Sequence, residues 1–370
     1  MSMRRLAPLL ALALLAAACG GDDGDAATTT STAPNAGDVV QATTTTTTAP
    51  SSETTDRPAS TTATVPPPPA SLSGWSDCGS VQCATLTVPL DYARPEGSMI
   101  DIPVTRRPAS GDRIGVLLAN PGGPGAPGTD YATGSLVSDD LLSRFDFIMW
   151  DPRGTGGTTA LTCTEPFEIL WTIDSGPDDA TEQAHLDGAA ADDADECRAR
   201  HRYVLAHFYT ESTVADMDGL RRALGEVSFT YIGFSYGTYL GLRYADRYGP
   251  NVRAMVLDGV VDPDQDLEEF LSGQLRGFLA VYDDMAAACG DGCPVDDLDA
   301  ALGRVLAAAE TRPIPTRFGL DLGPADIVTG TFYSAYGYNS QAWNDYHEAI
   351  AAADDGDGSA LLSLADQYHQ

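Results

Sequence analysis

Phe229-Thr230-Tyr231-Ile232-Gly233-Phe234-Ser235-Tyr236-Gly237-Thr238-Tyr239-Leu240 is a largely apolar run that ends in G-x-S-x-G and continues with helical spacing. The first six residues read as a buried strand, and Tyr236–Tyr248 as a helix with Gly237 and Gly241 on one side. A serine at such a strand-to-helix corner is a nucleophile elbow. The flanking glycines let the backbone bend sharply, so the Ser235 hydroxyl stands clear at a helix N-terminus. The positive end of the helix dipole favours negative charge developing there.

The same punctuation recurs on either side. Ile114–Ala119 is apolar and stops at Asn120-Pro121-Gly122-Gly123-Pro124-Gly125, and Phe145–Trp150 stops at Asp151-Pro152-Arg153-Gly154. Val252–Leu257 is a further apolar run, and Ala84–Leu90 and Ile100–Arg106 read as strands joined by a turn. Unbroken apolar strands bounded by glycine turns fit a parallel sheet covered on both faces. The spacing predicts an α/β fold, a doubly wound and mostly parallel sheet. After Asp262 the pattern turns helical, over Leu267–Ala288, Asp297–Glu310 and Ala342–Ala353, which predicts a helical cap with no further buried strand. The predicted organisation is a signal peptide (1–18), a disordered Thr/Pro/Ser-rich spacer (19–72), the sheet (73–265) and the cap (266–370).

Acyl transfer at Ser235 needs two backbone donors for the oxyanion. The N–H of Tyr236 is one candidate. The other is Gly123, in a loop whose glycines allow close approach to a substrate. The run Gly154-Thr155-Gly156-Gly157 lacks the Lys-Ser/Thr of a phosphate-binding loop.

Five segments together resemble the bacterial tripeptidyl aminopeptidase and proline iminopeptidase-like family of α/β-hydrolases. They are Val88-Pro89-Leu90-Asp91-Tyr92, Asn120 to Gly125, Trp150 to Gly156, Gly233 to Thr238, and Leu257-Asp258-Gly259-Val260. They run in family order over about residues 75–265. The resemblance implies an exported serine peptidase that releases short peptides or residues from a free N-terminus, or cleaves related amides and esters. The alternatives are an exported carboxylesterase or lipase on the same scaffold, and a non-catalytic surface-binding lipoprotein.

The fold's usual order is Ser, then acid, then His. After Ser235 only His347 and His369 follow, one in a helical stretch and one next to last in the chain. His185, His201 and His207 precede the serine in a polar region. The catalytic His is therefore expected to be absent, and the chain reads as the N-terminal part of a longer enzyme. Asp258, at the end of Val252–Leu257, is the in-chain substitute for the acid, with a turn or cap role as the competing reading. Glu268 and Glu269 are candidates to hold a substrate ammonium, against a solvated helix face.

Arg4-Arg5 followed by the apolar Leu6–Ala18 is a signal peptide pattern, too short to span a bilayer. Ala16-Ala17-Ala18-Cys19 resembles a lipobox, so Cys19 is the expected lipidation site and the surface of a bacterium the expected location, with simple secretion as the alternative. Six cysteines remain, an even number that reads as disulfides in an exported protein. Sequence neighbours pair as Cys78–Cys83, Cys163–Cys197 and Cys289–Cys293, one of the many connectivities six cysteines allow. No cofactor and no metal site is predicted. Of the 370 residues, 21 are Lys or Arg and 53 Asp or Glu, a net charge of −32. That charge repels nucleic acid and anionic lipid, so membrane contact is expected only through the N-terminal anchor. A peptide or a small amide or ester is the expected partner.

Overall fold

The computed structural model describes residues 67–369 apart from 135, 158, 159, 165–172, 174, 175, 178, 338 and 339. The signal peptide, Cys19 and most of the spacer lie outside the described residues.

Eight strands form one mixed sheet: β1 (Ser71–Leu72), β2 (Ser76–Cys78), β3 (Val81–Pro89), β4 (Met99–Arg107), β5 (Gly115–Asn120), β6 (Phe145–Trp150), β7 (Phe229–Phe234) and β8 (Val252–Asp258). The spatial order is β1-β3-β4-β6-β5-β7-β8, with β2 also on β3. Strands β6, β5, β7 and β8 are mutually parallel, and the N-terminal strands join antiparallel.

Strands β5 and β6 are buried along their whole length, so their successive residues serve two cores. Val116 and Leu118 face a core with Val214, Met217, Leu240 and Tyr244. These come from α3 (Thr210–Ala223) and α4 (Tyr236–Tyr248), which follow α1 (Asp139–Arg144) and α2 (Ala180–His201) in the chain. Leu117 and Ala119 face the other side, with Ala132, Val137 and Phe147. A sheet covered on both faces requires this alternation of targets along an all-apolar strand.

The expectation that Val252–Leu257 is covered on both faces is corrected. Strand β8 is the sheet's edge among the described residues and alternates between half-buried and exposed positions. Val252, Met255 and Leu257 pack on the first core, whereas Val256 on the opposite face is 54% exposed.

Beyond β8 the described residues hold no strand, only a bridge between Ile314 and Leu322. Five helices follow: α5 (Leu267–Ala288), α6 (Leu298–Thr311), α7 (Pro324–Tyr336), α8 (Ser340–Asp354) and α9 (Ser359–His369). They enclose a separate core of Met285, Leu302, Ile327, Tyr346, Ile350 and Leu361. Asp266 and Asp297 cap α5 and α6 by accepting the Glu269 and Ala300 amides, which satisfies otherwise orphaned donors. The helices α7 and α9 lie within the predicted helical cap, which the sequence reading does not divide into them.

The six cysteines of the described region pair as Cys78–Cys83, Cys163–Cys197 and Cys289–Cys293. No helix among the described residues is long and apolar enough to cross a membrane.

Candidate active site

Ser235 stands between β7 and α4 with φ 51° and ψ −121°, and among the described residues it is the one non-glycine residue with positive φ. Such a conformation is strained and persists only where the surroundings enforce it. Three hydrogen bonds hold it here. The Ser235 N–H donates to the Asp258 carbonyl at 2.9 Å, and its carbonyl accepts the Thr238 N–H at 2.8 Å and the Thr238 Oγ1 at 2.6 Å. The corner is tight. A Cβ on Gly233 would overlap the Gly237 carbonyl, and one on Gly237 would lie 2.7 Å from the Asn120 carbonyl. The Ser235 side chain is exposed, and Oγ has no hydrogen-bond partner among the described residues.

The loop after β5 abuts this corner. A Cβ on Gly122 would lie 2.7 Å from the Phe234 carbonyl oxygen and 3.0 Å from the Ser235 Cβ. Gly122 and Gly123 have φ of 107° and 106°, a region in which L side chains are strained. The Gly122 N–H is taken by Asn120 Oδ1 at 3.0 Å. The N–H groups of Gly123 and Tyr236 donate to no acceptor among the described residues. The exposed hydroxyl and two unused amides thus belong to two adjoining turns, the composition an oxyanion site requires.

Deeper residues brace the turns. The Asp151 Oδ1 accepts the Thr129 N–H and Oγ1 at 2.9 and 2.7 Å, and Oδ2 accepts the Gly157 N–H at 2.9 Å. The Gly157 amide of the 154–157 run thereby serves a carboxylate of the chain itself. Arg153 and Asp216, both buried, form a two-pronged pair at 2.7 and 2.6 Å. Arg153 also donates to the carbonyls of Pro89, Leu90 and His207, and the Tyr92 hydroxyl donates to Asp216 at 2.6 Å. Burial raises the Asp216 carboxyl, and the Arg153 guanidinium and Tyr92 hydroxyl oppose that shift. Thr238, fully buried, accepts the Val261 N–H at 2.8 Å and so ties the segment after β8 to the corner.

The sequence-predicted acid and base behave differently. Asp258 ends β8 exposed; its carbonyl holds Ser235, and its carboxylate has no hydrogen-bond partner among the described residues. None of the described histidines is hydrogen-bonded to Ser235. His347 is buried in α8 with Nε2 2.9 Å from the Met285 carbonyl, and burial lowers its pKa. The His201 Nε2 lies 2.9 Å from the Thr162 carbonyl, His185 is exposed on α2, and His369 stands in α9. Glu268 and Glu269 lie exposed in the first turn of α5. No group of three His, Cys, Asp or Glu residues suited to a metal ion exists among the described residues.

The sequence model described as "alpha/beta hydrolase fold" matches residues 115–292, which span β5 through α5 and contain both turns. This chain has the α/β-hydrolase fold. It is 33% identical to serine protease Hip1 of Mycobacterium tuberculosis over 309 residues, covering 78% of this chain and 59% of that protein. It is 31% identical to tripeptidyl aminopeptidase of Streptomyces coelicolor over 316 residues, 79% of this chain and 57% of that one. Carboxylesterase B of M. tuberculosis is 35% identical over 311 residues, 79% of this chain and 59% of that protein. The chain therefore spans under three-fifths of the length of these relatives. Asn120, Asp151, Arg153, Asp216 and Thr238 are the site-supporting residues that the sequence reading did not single out. Four of the five stand within or beside the quoted family segments, and Asp216 carries no sequence signal.

Proposed function

We propose that this α/β-hydrolase is a serine acyl hydrolase whose nucleophile is Ser235 and whose oxyanion donors are the Gly123 and Tyr236 N–H groups. The observation that carries the reading is the strained, exposed Ser235 beside two unused amides. In the reaction Ser235 Oγ attacks the substrate carbonyl, the carbonyl electron pair moves onto oxygen, and the two amides hold that charge. The Oγ proton passes to a base. Because no described histidine is bonded to Ser235, the chain on its own is expected to react slowly.

The preferred substrate is a short peptide cleaved near its free N-terminus, by analogy with the relatives named for peptidase activity. The relative named as a carboxylesterase supports short acyl esters as the second reading. Incubation with a fluorophosphonate at mildly alkaline pH, followed by intact mass, is expected to add one phosphonyl group to the wild type and none to Ser235→Ala. Equal labelling of both would remove Ser235 from the mechanism. Comparing aminoacyl- and tripeptidyl-amides with acyl esters separates the two substrate readings.

The proposal includes export, with residues 1–18 removed, Cys19 lipidated and residues 19–72 acting as a spacer. Three disulfides in the described region support an oxidising destination. Cys19→Ser is expected to move the protein from the membrane fraction to the medium.

A further inference from the structure

The Gly122 N–H lies in the turn that would carry the oxyanion, yet it is not available to a substrate. Asn120 Oδ1 holds it at 3.0 Å. Asn120 is the last residue of β5, fully buried, and paired in register with Gly233 at the foot of the Ser235 corner. The other side of its amide is anomalous. Nδ2 is buried with no hydrogen-bond partner among the described residues. An unpaired buried donor is unfavourable, and an apolar side chain at this position would avoid it. The Gly122 N–H fixes which way the amide faces, since turning Nδ2 toward it would oppose two donors. The same side chain also touches the second turn. Its Oδ1 lies 2.9 Å from where a Cβ of Gly237 would be. One carboxamide thus stands between the Gly122–Gly123 turn and the first turn of α4, which carry the two unused amides.

We propose that Asn120 is a positioning residue for the oxyanion site. Its side-chain oxygen takes the Gly122 N–H out of play, sets the plane of the turn, and leaves the next amide, that of Gly123, as the donor facing the chemistry. The orphaned Nδ2 is the consequence of burying a carboxamide for its oxygen alone. This assignment rests on the acyl-hydrolase reading. It goes beyond it in naming a residue that touches neither substrate nor nucleophile but decides which backbone donor acts.

The test uses the full chain as wild type, Asn120→Ala, Asn120→Asp and Ser235→Ala. Phosphonylation by a fluorophosphonate is measured as a function of reagent concentration, to separate half-saturation from the limiting rate. Amide hydrogen exchange is followed at Gly122. Asn120→Ala is expected to lower the limiting rate about 10- to 100-fold at unchanged half-saturation, below the loss for deleting an oxyanion donor outright. The Gly122 amide should then exchange rapidly. Asn120→Asp keeps an acceptor of the same size and is expected to restore the slow exchange and most of the rate. A protected Gly122 amide in Asn120→Ala, or a limiting rate equal to that of the wild type, would overturn the assignment, and the exchange measurement decides even if labelling is slow. Wild-type labelling no greater than that of Ser235→Ala is a different result: it would overturn the hydrolase reading and the assignment with it.

Discussion

Gly122→Ala is the sharpest perturbation of the proposed site, and Gly125→Ala is its natural control. Both glycines have positive φ, 107° and 113°, so alanine meets a backbone penalty at either, about 1–3 kcal/mol. Their surroundings differ. A Cβ at Gly125 meets nothing within 4 Å, whereas at Gly122 it meets the Phe234 carbonyl oxygen at 2.7 Å and the Ser235 Cβ at 3.0 Å. The nearest of these atoms is backbone and the other is fixed close to it, so neither can swing aside; the turn must back away by roughly half an ångström to restore van der Waals distance. Overpacking of this kind adds about 1–3 kcal/mol. Gly125→Ala is therefore expected to destabilise the protein by about 1–3 kcal/mol and Gly122→Ala by about 2–6 kcal/mol. A kinetic contrast should accompany it, because withdrawing the turn moves the Gly123 amide from the reacting carbonyl. A misplacement of about 1 Å can cost on the order of 100-fold in rate, so half that is expected to cost on the order of 10-fold. Urea denaturation followed by fluorescence gives the first pair of numbers, and fluorophosphonate labelling the second. Equal destabilisation by the two alanines, with Gly122→Ala labelled as fast as Gly125→Ala, would refute the claim that the turn rests against the serine.

Three further outcomes are expected. Arg153→Met strands the buried Asp216 carboxylate and three carbonyls, and should cost about 3–5 kcal/mol. Adding Asp216→Leu should recover part of that loss, and a double variant no more stable than the single would contradict the pairing argument. Thr238→Val removes the acceptor of the Val261 amide, and should cost about 1–3 kcal/mol and accelerate exchange at Val261, while Thr238→Ser restores protection. Burial depresses the pKa of His347 in the folded state, so unfolding takes up a proton in the interval below about 6.5. The corresponding stability is present above that pH and is lost as pH falls through the lowered folded value. Thermal midpoints measured from pH 8 to 5 should fall less steeply in His347→Gln than in the wild type.

The nucleophile corner, the glycine turn after β5 and the parallel strands between them are legible in the sequence because each is a local pattern. An apolar run of strand length meets a glycine, and the amphipathic stretch after Ser235 has the period of a helix. The cysteine pairs were approached the same way, two of them only a few residues apart. The cap is legible as helical, but its division into α7 and α9 is not part of the sequence reading.

What held the site together was written in no local pattern. Arg153 meets Asp216 across 63 residues, and Tyr92 meets the same carboxylate across 124. Whether Asp151 bonds a ligand or the turns at Thr129 and Gly157 depends on which loops the sheet order brings side by side. Val252–Leu257 reads like the buried strands β5 and β6, and its exposed face follows from its place at the edge, which composition does not encode. Short-range stereochemistry and periodicity belong to neighbouring residues and can be read along the chain. Pairing of buried charges, capture of single amides and coverage of a strand depend on neighbours that only folding supplies.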